Sequence, residues 1–112
     1  MGAKFYVSTV ADGYYQFNYC NGRGENVLTS PEFESQAMAE KAIQDVRVGS
    51  LMSQNIAKGQ TPAGEFFFLI KDGNGEVVAR SALFNNEMLF DNALHNVREN
   101  ACVAETTFVS GG

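Results

Sequence analysis

At 112 residues and a net charge of −5, the chain has the size of one domain and can bury one core, not two independent ones. Neither half gathers its Lys and Arg into a cluster, which disfavours nucleic acid and anionic membrane surfaces, since both draw affinity from basic patches. No apolar run approaches the ~20 residues of a membrane span, and the N-terminus lacks the basic, apolar, small-residue order of an export signal.

The first predicted element is a strand over Lys4 to Val10. A hairpin follows, in which Tyr15, Phe17 and Tyr19 alternate with Tyr14, Gln16, Asn18 and Cys20, the period of a strand with one buried face. Asn21-Gly22-Arg23-Gly24 makes the turn, because Asn-Gly favours positive φ in tight hairpins. A second hairpin strand runs from about Glu25 to Thr29. A short loop carries Ser30 and Phe33. A helix then starts near Ser35, a good N-cap, with Met38, Ala39, Ala42, Ile43 and Val46 as its apolar stripe. Arg47 suits the dipole of the last turn, and Gly49 is expected to close the helix in the left-handed C′ conformation.

The remainder repeats this plan. Displaced by 51 residues, positions 13–50 lie over 64–101 without a gap, and 11 of the 38 pairs are identical, where ordinary composition yields about two or three. The identities include Phe17/Phe68, Gly24/Gly75, Ser30/Ser81, Phe33/Phe84 and Arg47/Arg98. The chain therefore reads as a duplication, with repeats over about 4–50 and 51–109 of a single domain 1–112. In the second copy a strand is expected over Leu51 to Ala57 and a surface loop over Lys58 to Ala63. Phe66, Phe68 and Ile70 then alternate before an Asp72-Gly73-Asn74-Gly75 turn and a strand from Glu76 to Arg80. Its helix begins at Asn86, carries Leu89, Phe90, Ala93, Leu94 and Val97 inward, and ends at Asn100. A closing strand is expected over Val103 to Val109, before a frayed Ser110-Gly111-Gly112 tail.

The run Glu25-Asn26-Val27-Leu28-Thr29-Ser30, with Phe33, Ser35, Ala39-Glu40-Lys41, Ile43 and Val46-Arg47, resembles the YegP-like family of small bacterial proteins built from one or two β-β-β-α units. The second copy is similar through Gly64, Phe66, Phe68, Gly75-Glu76 and Val97-Arg98. The resemblance implies an α+β fold: one antiparallel sheet made jointly by both repeats, both helices on one face, and the strand after each helix crossing to the other repeat's side. Its motifs are turns, strands and caps, and it brings no activity with it.

Candidate chemistry is sparse. His95 is the only histidine and aligns with Gln44 on the solvated side of its helix. Without a second His or a Cys nearby it makes no metal site of the usual type. Cys20 and Cys102 fall at non-equivalent positions with no Cys-x-x-Cys spacing. Two cysteines are too few for a disulfide framework, so each is expected to be a reduced, buried small hydrophobe in a cytoplasmic protein. Asp72, Asn74 and Glu76 mimic the start of a calcium loop but lack its later Glu ligand, so they read as a turn. Glu25/Glu76 and Arg47/Arg98 recur in both copies, which points to a salt bridge or cap within each repeat, with a recognition feature as the alternative. No catalytic group, metal or cofactor is expected.

Phe67 and Leu69 depart from the pattern, because their counterparts are the polar Gln16 and Asn18. With both helices on one face, these two side chains point to the other, where Tyr14 extends the surface. Tyr14, Phe67 and Leu69 are therefore the candidate interaction surface of a non-enzymatic module that binds a protein or a second copy of itself. The alternative is an enzyme or small-ligand binder with a site in the cleft between the repeats, lined by paired residues such as Arg47 and Arg98.

Overall fold

Asn21 and Asp72 show how short-range chemistry shapes the sheet. A computed structural model describes residues 2–109; the Ser110–Gly112 tail lies outside them. The Asn21 side-chain oxygen accepts the N–H groups of Arg23 and Glu25, and Asp72 does the same for Asn74 and Glu76. These Asx turns place the left-handed conformation on the second glycine of each turn, Gly24 (φ 82°) and Gly75 (φ 83°), not on the residue after the Asn or Asp. The hairpins they close are β2 (Tyr15–Cys20) with β3 (Asn26–Thr29), and β5 (Phe66–Lys71) with β6 (Val77–Ser81). In each, an extra residue bulges out of register, so that consecutive Val27-Leu28 and Val78-Ala79 are all buried.

The two hairpins are built alike down to single hydrogen bonds. Ser30 Oγ accepts the Phe17 N–H at 2.8 Å and donates to the Pro31 carbonyl. Ser81 Oγ accepts the Phe68 N–H at 2.9 Å and donates to the Ala82 carbonyl. Each loop is tied back by a reciprocal backbone pair, Tyr15 with Phe33 and Phe66 with Phe84.

The hairpins meet through β3 and β6, where Leu28 opposes Ser81 and Thr29 opposes Arg80. Beyond them lie β1 (Lys4–Thr9) beside β2, β4 (Ile56–Gln60) beside β5, and β7 (Glu105–Val109) on the outer edge of β1. The result is one seven-stranded sheet in the order β4-β5-β6-β3-β2-β1-β7. It is mixed rather than antiparallel, because β7 runs parallel to β1. Its chain returns from the second helix along β1 in the same direction, and side-chain alternation carries no information about that direction.

Two helices, α1 (Gln36–Gly49) and α2 (Glu87–Asn100), cover one face. Ser35 Oγ and Asn86 Oδ1 cap them by accepting the N–H of Met38 and Leu89. Ala39, Ala42, Ile43 and Val46 on α1 and Phe90, Leu94 and Val97 on α2 pack against Phe5, Val7, Phe17, Tyr19, Leu28, Phe68 and Ile70. Met38 and Leu89, expected within the stripes, are exposed. They stand at equivalent places in the first helical turn, at the flank of the packed face.

Gly49 and Asn100 are not left-handed. At Gly49 a Cβ would lie 3.1 Å from the Lys71 carbonyl and 3.2 Å from Ile70 Cγ2, so glycine there permits a close helix-to-strand approach. The segment before the second hairpin also differs from expectation. Ser53–Asn55 forms a 3₁₀ turn, and β4 begins at Ile56 and takes in Lys58 to Gln60, which were expected as loop. Glycine made that stretch look like a turn, but Gly59 is occupied from above. The far end of the Phe67 ring reaches over it, with Cζ 2.5 Å from where a Cβ would be.

Candidate functional site

The face of the sheet away from the helices carries no covering element among the described residues. Following the register across it, a single row crosses all seven strands: Ala57, Leu69, Arg80, Thr29, Asn18, Tyr6 and Thr107. Leu69 and Phe67 both point to this face, and both are half-buried. Phe67 leans on Gly59, and Leu69 stands between Ala57 and Arg80. Tyr14 is 38% exposed but stands just before β2, three strands across from β5 and on the opposite side of the row from Phe67. The structure thus joins Phe67 and Leu69 and leaves Tyr14 apart.

Sequence reasoning missed the charges on this face. Lys4, Lys71 and Arg80 project from it, with Glu105 registered beside Lys4 as its one strand-borne acid. Arg80 stands at its centre. A shallow hollow of about 500 Å³ opens there, between Leu69, Arg80 and Thr29 and the Pro31-Glu32 loop. A chain with 13 acidic and 8 basic residues therefore turns outward a partly apolar sheet whose three cations outnumber the two acids beside them, Glu105 and the Glu32 of the adjoining loop. The positions alternate with buried ones, so the signal was present in the strand period, but only the register brings the three cations onto one surface.

A second concavity, about 580 Å³, lies on the helix side between the turn of the first hairpin and α2. Asn21, Arg23 and Asn26 form one wall, Leu89, Asn92 and Asn96 the other, and Phe84 and Ala93 its apolar floor. The Tyr19 hydroxyl donates to Asn96 Oδ1 at 3.0 Å. Burial, with a smaller contribution from Cys102, pushes that phenol up to about 12. The alternative read from the sequence was a site in a cleft between the repeats, lined by residues such as Arg47 and Arg98, and this concavity lies between the first hairpin and α2. Arg47 and Arg98 do not line it. Arg47 reaches the Ala104 carbonyl (2.6 Å) and Thr106 Oγ1 (3.2 Å) with its guanidinium over the Phe5 ring, and so fastens β7 rather than forming an ion pair.

The remaining candidates are dispersed. His95 is exposed and 3.2 Å from Glu99 on the outer side of α2. Cys102 is exposed rather than buried, because the 3₁₀ turn Ala101–Val103 directs Ala101 inward instead. Cys20 is half-buried at the edge of the open face, where burial raises its thiol pKa. Glu25 joins Arg23 at 3.2 Å in the turn and makes no bond to Arg47. Among the described residues no three His, Cys, Asp or Glu side chains gather as a metal site would require, and no helix is long and apolar enough to cross a membrane.

The family model described as "Domain of unknown function (DUF1508)" matches residues 62–107. The UPF0339 protein YegP of Shigella flexneri is 29% identical over 100 residues, 89% of this chain and 91% of that protein. The UPF0339 protein PA0329 of Pseudomonas aeruginosa is 30% identical over 98 residues, 88% of this chain and 89% of that one. The solution NMR structure of yegP from E. coli, titled a protein of unknown function, superposes with a TM-score of 0.92 at 26% identity, covering 100% of this chain and 97% of that one. The resemblance read from both copies therefore extends over most of the chain, which belongs to the YegP-like UPF0339 family.

Proposed function

We propose that the chain is a non-catalytic interaction module whose open sheet face docks an acidic, partly apolar protein surface. The observation that carries this reading is the charge segregation. Three cations project from a face centred on Arg80 and Leu69, in a protein whose net charge is −5. Arginine beside aliphatic and aromatic side chains is the composition of interface centres. The same charge argues against a two-fold dimer centred on this face, since it would set Arg80 against Arg80. Nucleic acid fits poorly, because Lys4 on β1 and Lys71 on β5 lie on opposite sides of the row with three strands between them, and Glu105 sits beside Lys4.

The fold supports a duplicated origin for this platform. Tyr6/Ala57, Asn18/Leu69 and Thr29/Arg80 are pairs separated by 51 residues, and the cross-sheet row reads them palindromically about the β3–β6 seam. On this reading two β-β-β-α copies share one sheet, with the strand after each helix joining the other copy's side. Polar Asn18 in one copy and apolar Leu69 in the other then make the face asymmetric and give it one docking orientation. An exposed Cys102 thiol fits a reducing, cytoplasmic setting.

The test is affinity capture from a bacterial extract with the native chain, Leu69→Glu with Arg80→Glu, and Lys41→Glu on the helix side. Partners retained by native and Lys41→Glu baits, lost with the open-face variant, and weakened by salt support the reading. Capture that is indifferent to the open-face substitutions removes it.

A further inference from the structure

The cleft between the first hairpin and α2 has a lining that its counterpart on the other half lacks. Asn92 and Asn96 stand one helical turn apart and face the cleft, whereas the positions 51 earlier are Lys41 and Asp45, which pair with each other at 3.1 Å. The buried Tyr19 hydroxyl holds Asn96 by its oxygen, and the matching position is the aliphatic Ile70. One amide is therefore pre-oriented in only one half, with its NH₂ group left free among the described residues. Asn92 likewise makes no hydrogen bond within the described chain. Across the cleft, Arg23 is neutralised by Glu25 at 3.2 Å, and Asn21 is committed to its own turn.

The chemistry follows from these partners. Free amides offer both donors and acceptors but no charge, which suits hydroxyl groups better than a carboxylate or phosphate. The floor of Phe84, Ala93 and Val27, with Leu89 at the lip, offers an apolar surface on one side. Phe84 meets Phe90 edge-on, so the cleft has no pair of parallel rings to sandwich a flat base. The volume of about 580 Å³ is that of a small-molecule site. We infer that this cleft binds an uncharged, polyhydroxylated ligand of the saccharide class, with Asn92 and Asn96 bonding its hydroxyls and the Phe84–Leu89 side receiving its apolar face.

The test is an NMR titration of ¹⁵N-labelled chain with maltose, cellobiose and N,N′-diacetylchitobiose. Expected are saturable shifts at Gly22, Arg23 and Ala93 and at the side-chain NH₂ groups of Asn92 and Asn96 with at least one of these sugars. Asn92→Lys with Asn96→Asp installs the ion pair that α1 already tolerates at the equivalent positions, so the fold is kept, and affinity should fall at least tenfold. Three outcomes overturn the inference: no shift from any of the sugars at tens of millimolar; shifts that the double variant leaves unchanged; or stronger shifts at the same residues from inorganic phosphate or adenosine. The sheet-face reading is untouched by each of them, because Asn92 and Asn96 lie on the opposite side of the sheet.

Discussion

Thr29 and Arg80 oppose each other across the β3–β6 ladder, and they are also the same position of the two halves, 51 residues apart. The seam between the halves is therefore centred on this pair, yet only Leu28–Ser81 and Thr29–Arg80 are in register there. Such a short ladder cannot hold two independent domains together, so the shared core must do so. Leu28 is wholly buried in that core beside the seam. Leu28→Ala is expected to cost about 2–5 kcal/mol and to lower one common transition followed by tyrosine fluorescence and by far-ultraviolet circular dichroism. Two separated transitions would show that the halves fold independently.

The twin serines make a second case. Ser30 and Ser81 each satisfy a buried strand N–H that would otherwise have no partner, those of Phe17 and Phe68. Ser30→Ala and Ser81→Ala should each destabilise by about 1–3 kcal/mol, the cost of an orphaned buried donor. The two serines share no hydrogen-bond partner but stand diagonally across the β3–β6 seam, so the double variant, measured by urea denaturation, reads the coupling between the halves as its departure from the summed losses.

These serines also mark what the sequence made legible. The hairpin turns, both N-caps and most of the inward stripes were readable because each rests on interactions within about five residues, and the 51-residue self-similarity of the sequence displayed them twice. Lys58-Gly59-Gln60 was misread because its strand character depends on Phe67, a residue beyond the following turn, covering Gly59. The parallel course of β7 was hidden for a similar reason. It rests on the ladder that pairs Lys4 with Glu105 and Val7 with Phe108, at opposite ends of the chain, with Arg47 bonding the Ala104 carbonyl just before it. The cationic open face required the full strand order, and the amide-lined cleft required α2 to approach the other half's turn. Phe67 and Leu69 were visible as a departure between copies; Arg80, their central neighbour, was not, because Thr29 opposite it is also polar.

Arg47 yields its own prediction. It anchors an edge strand through one carbonyl, one hydroxyl and the Phe5 ring. One guanidinium nitrogen donates to both oxygens while the planar group lies over the ring, and lysine lacks that plane. Arg47→Lys should therefore reduce amide-exchange protection in Glu105–Val109 selectively, while β2 and β5 keep theirs. Uniform loss across the sheet would mean that Arg47 supports the core rather than the edge.

Tyr19 supplies a pH dependence. Its phenol is held at about 12 in the folded chain against the ordinary 10.0, chiefly by burial. The folded state thus keeps the proton where the unfolded state releases it. The associated stability is fully present below pH 10 and is lost as pH rises through 10 to about 12. Tyr19→Phe removes this titration, so the native chain should lose more stability than the variant between those limits, with the difference flat below them. Equal alkaline slopes would show the phenol to be solvated.

Asn18 gives the opposite sign. It lies in the cross-sheet row between Thr29 and Tyr6, and its side-chain oxygen is shielded from solvent with no hydrogen-bond partner among the described residues. An acceptor stranded in this way costs free energy on folding. Leu69 occupies the equivalent position, so the surrounding strand geometry already accepts leucine there. Asn18→Leu should stabilise the chain by about 1–2 kcal/mol, read as a higher urea midpoint at unchanged m-value. It should also make the open face symmetric in its apolar pair, with one leucine beside Thr29 and the other, Leu69, beside Arg80. If the asymmetry sets one docking orientation, the more stable variant should bind its partner less selectively. A variant that is destabilised would instead show that the Asn18 amide makes a necessary contact on the open face.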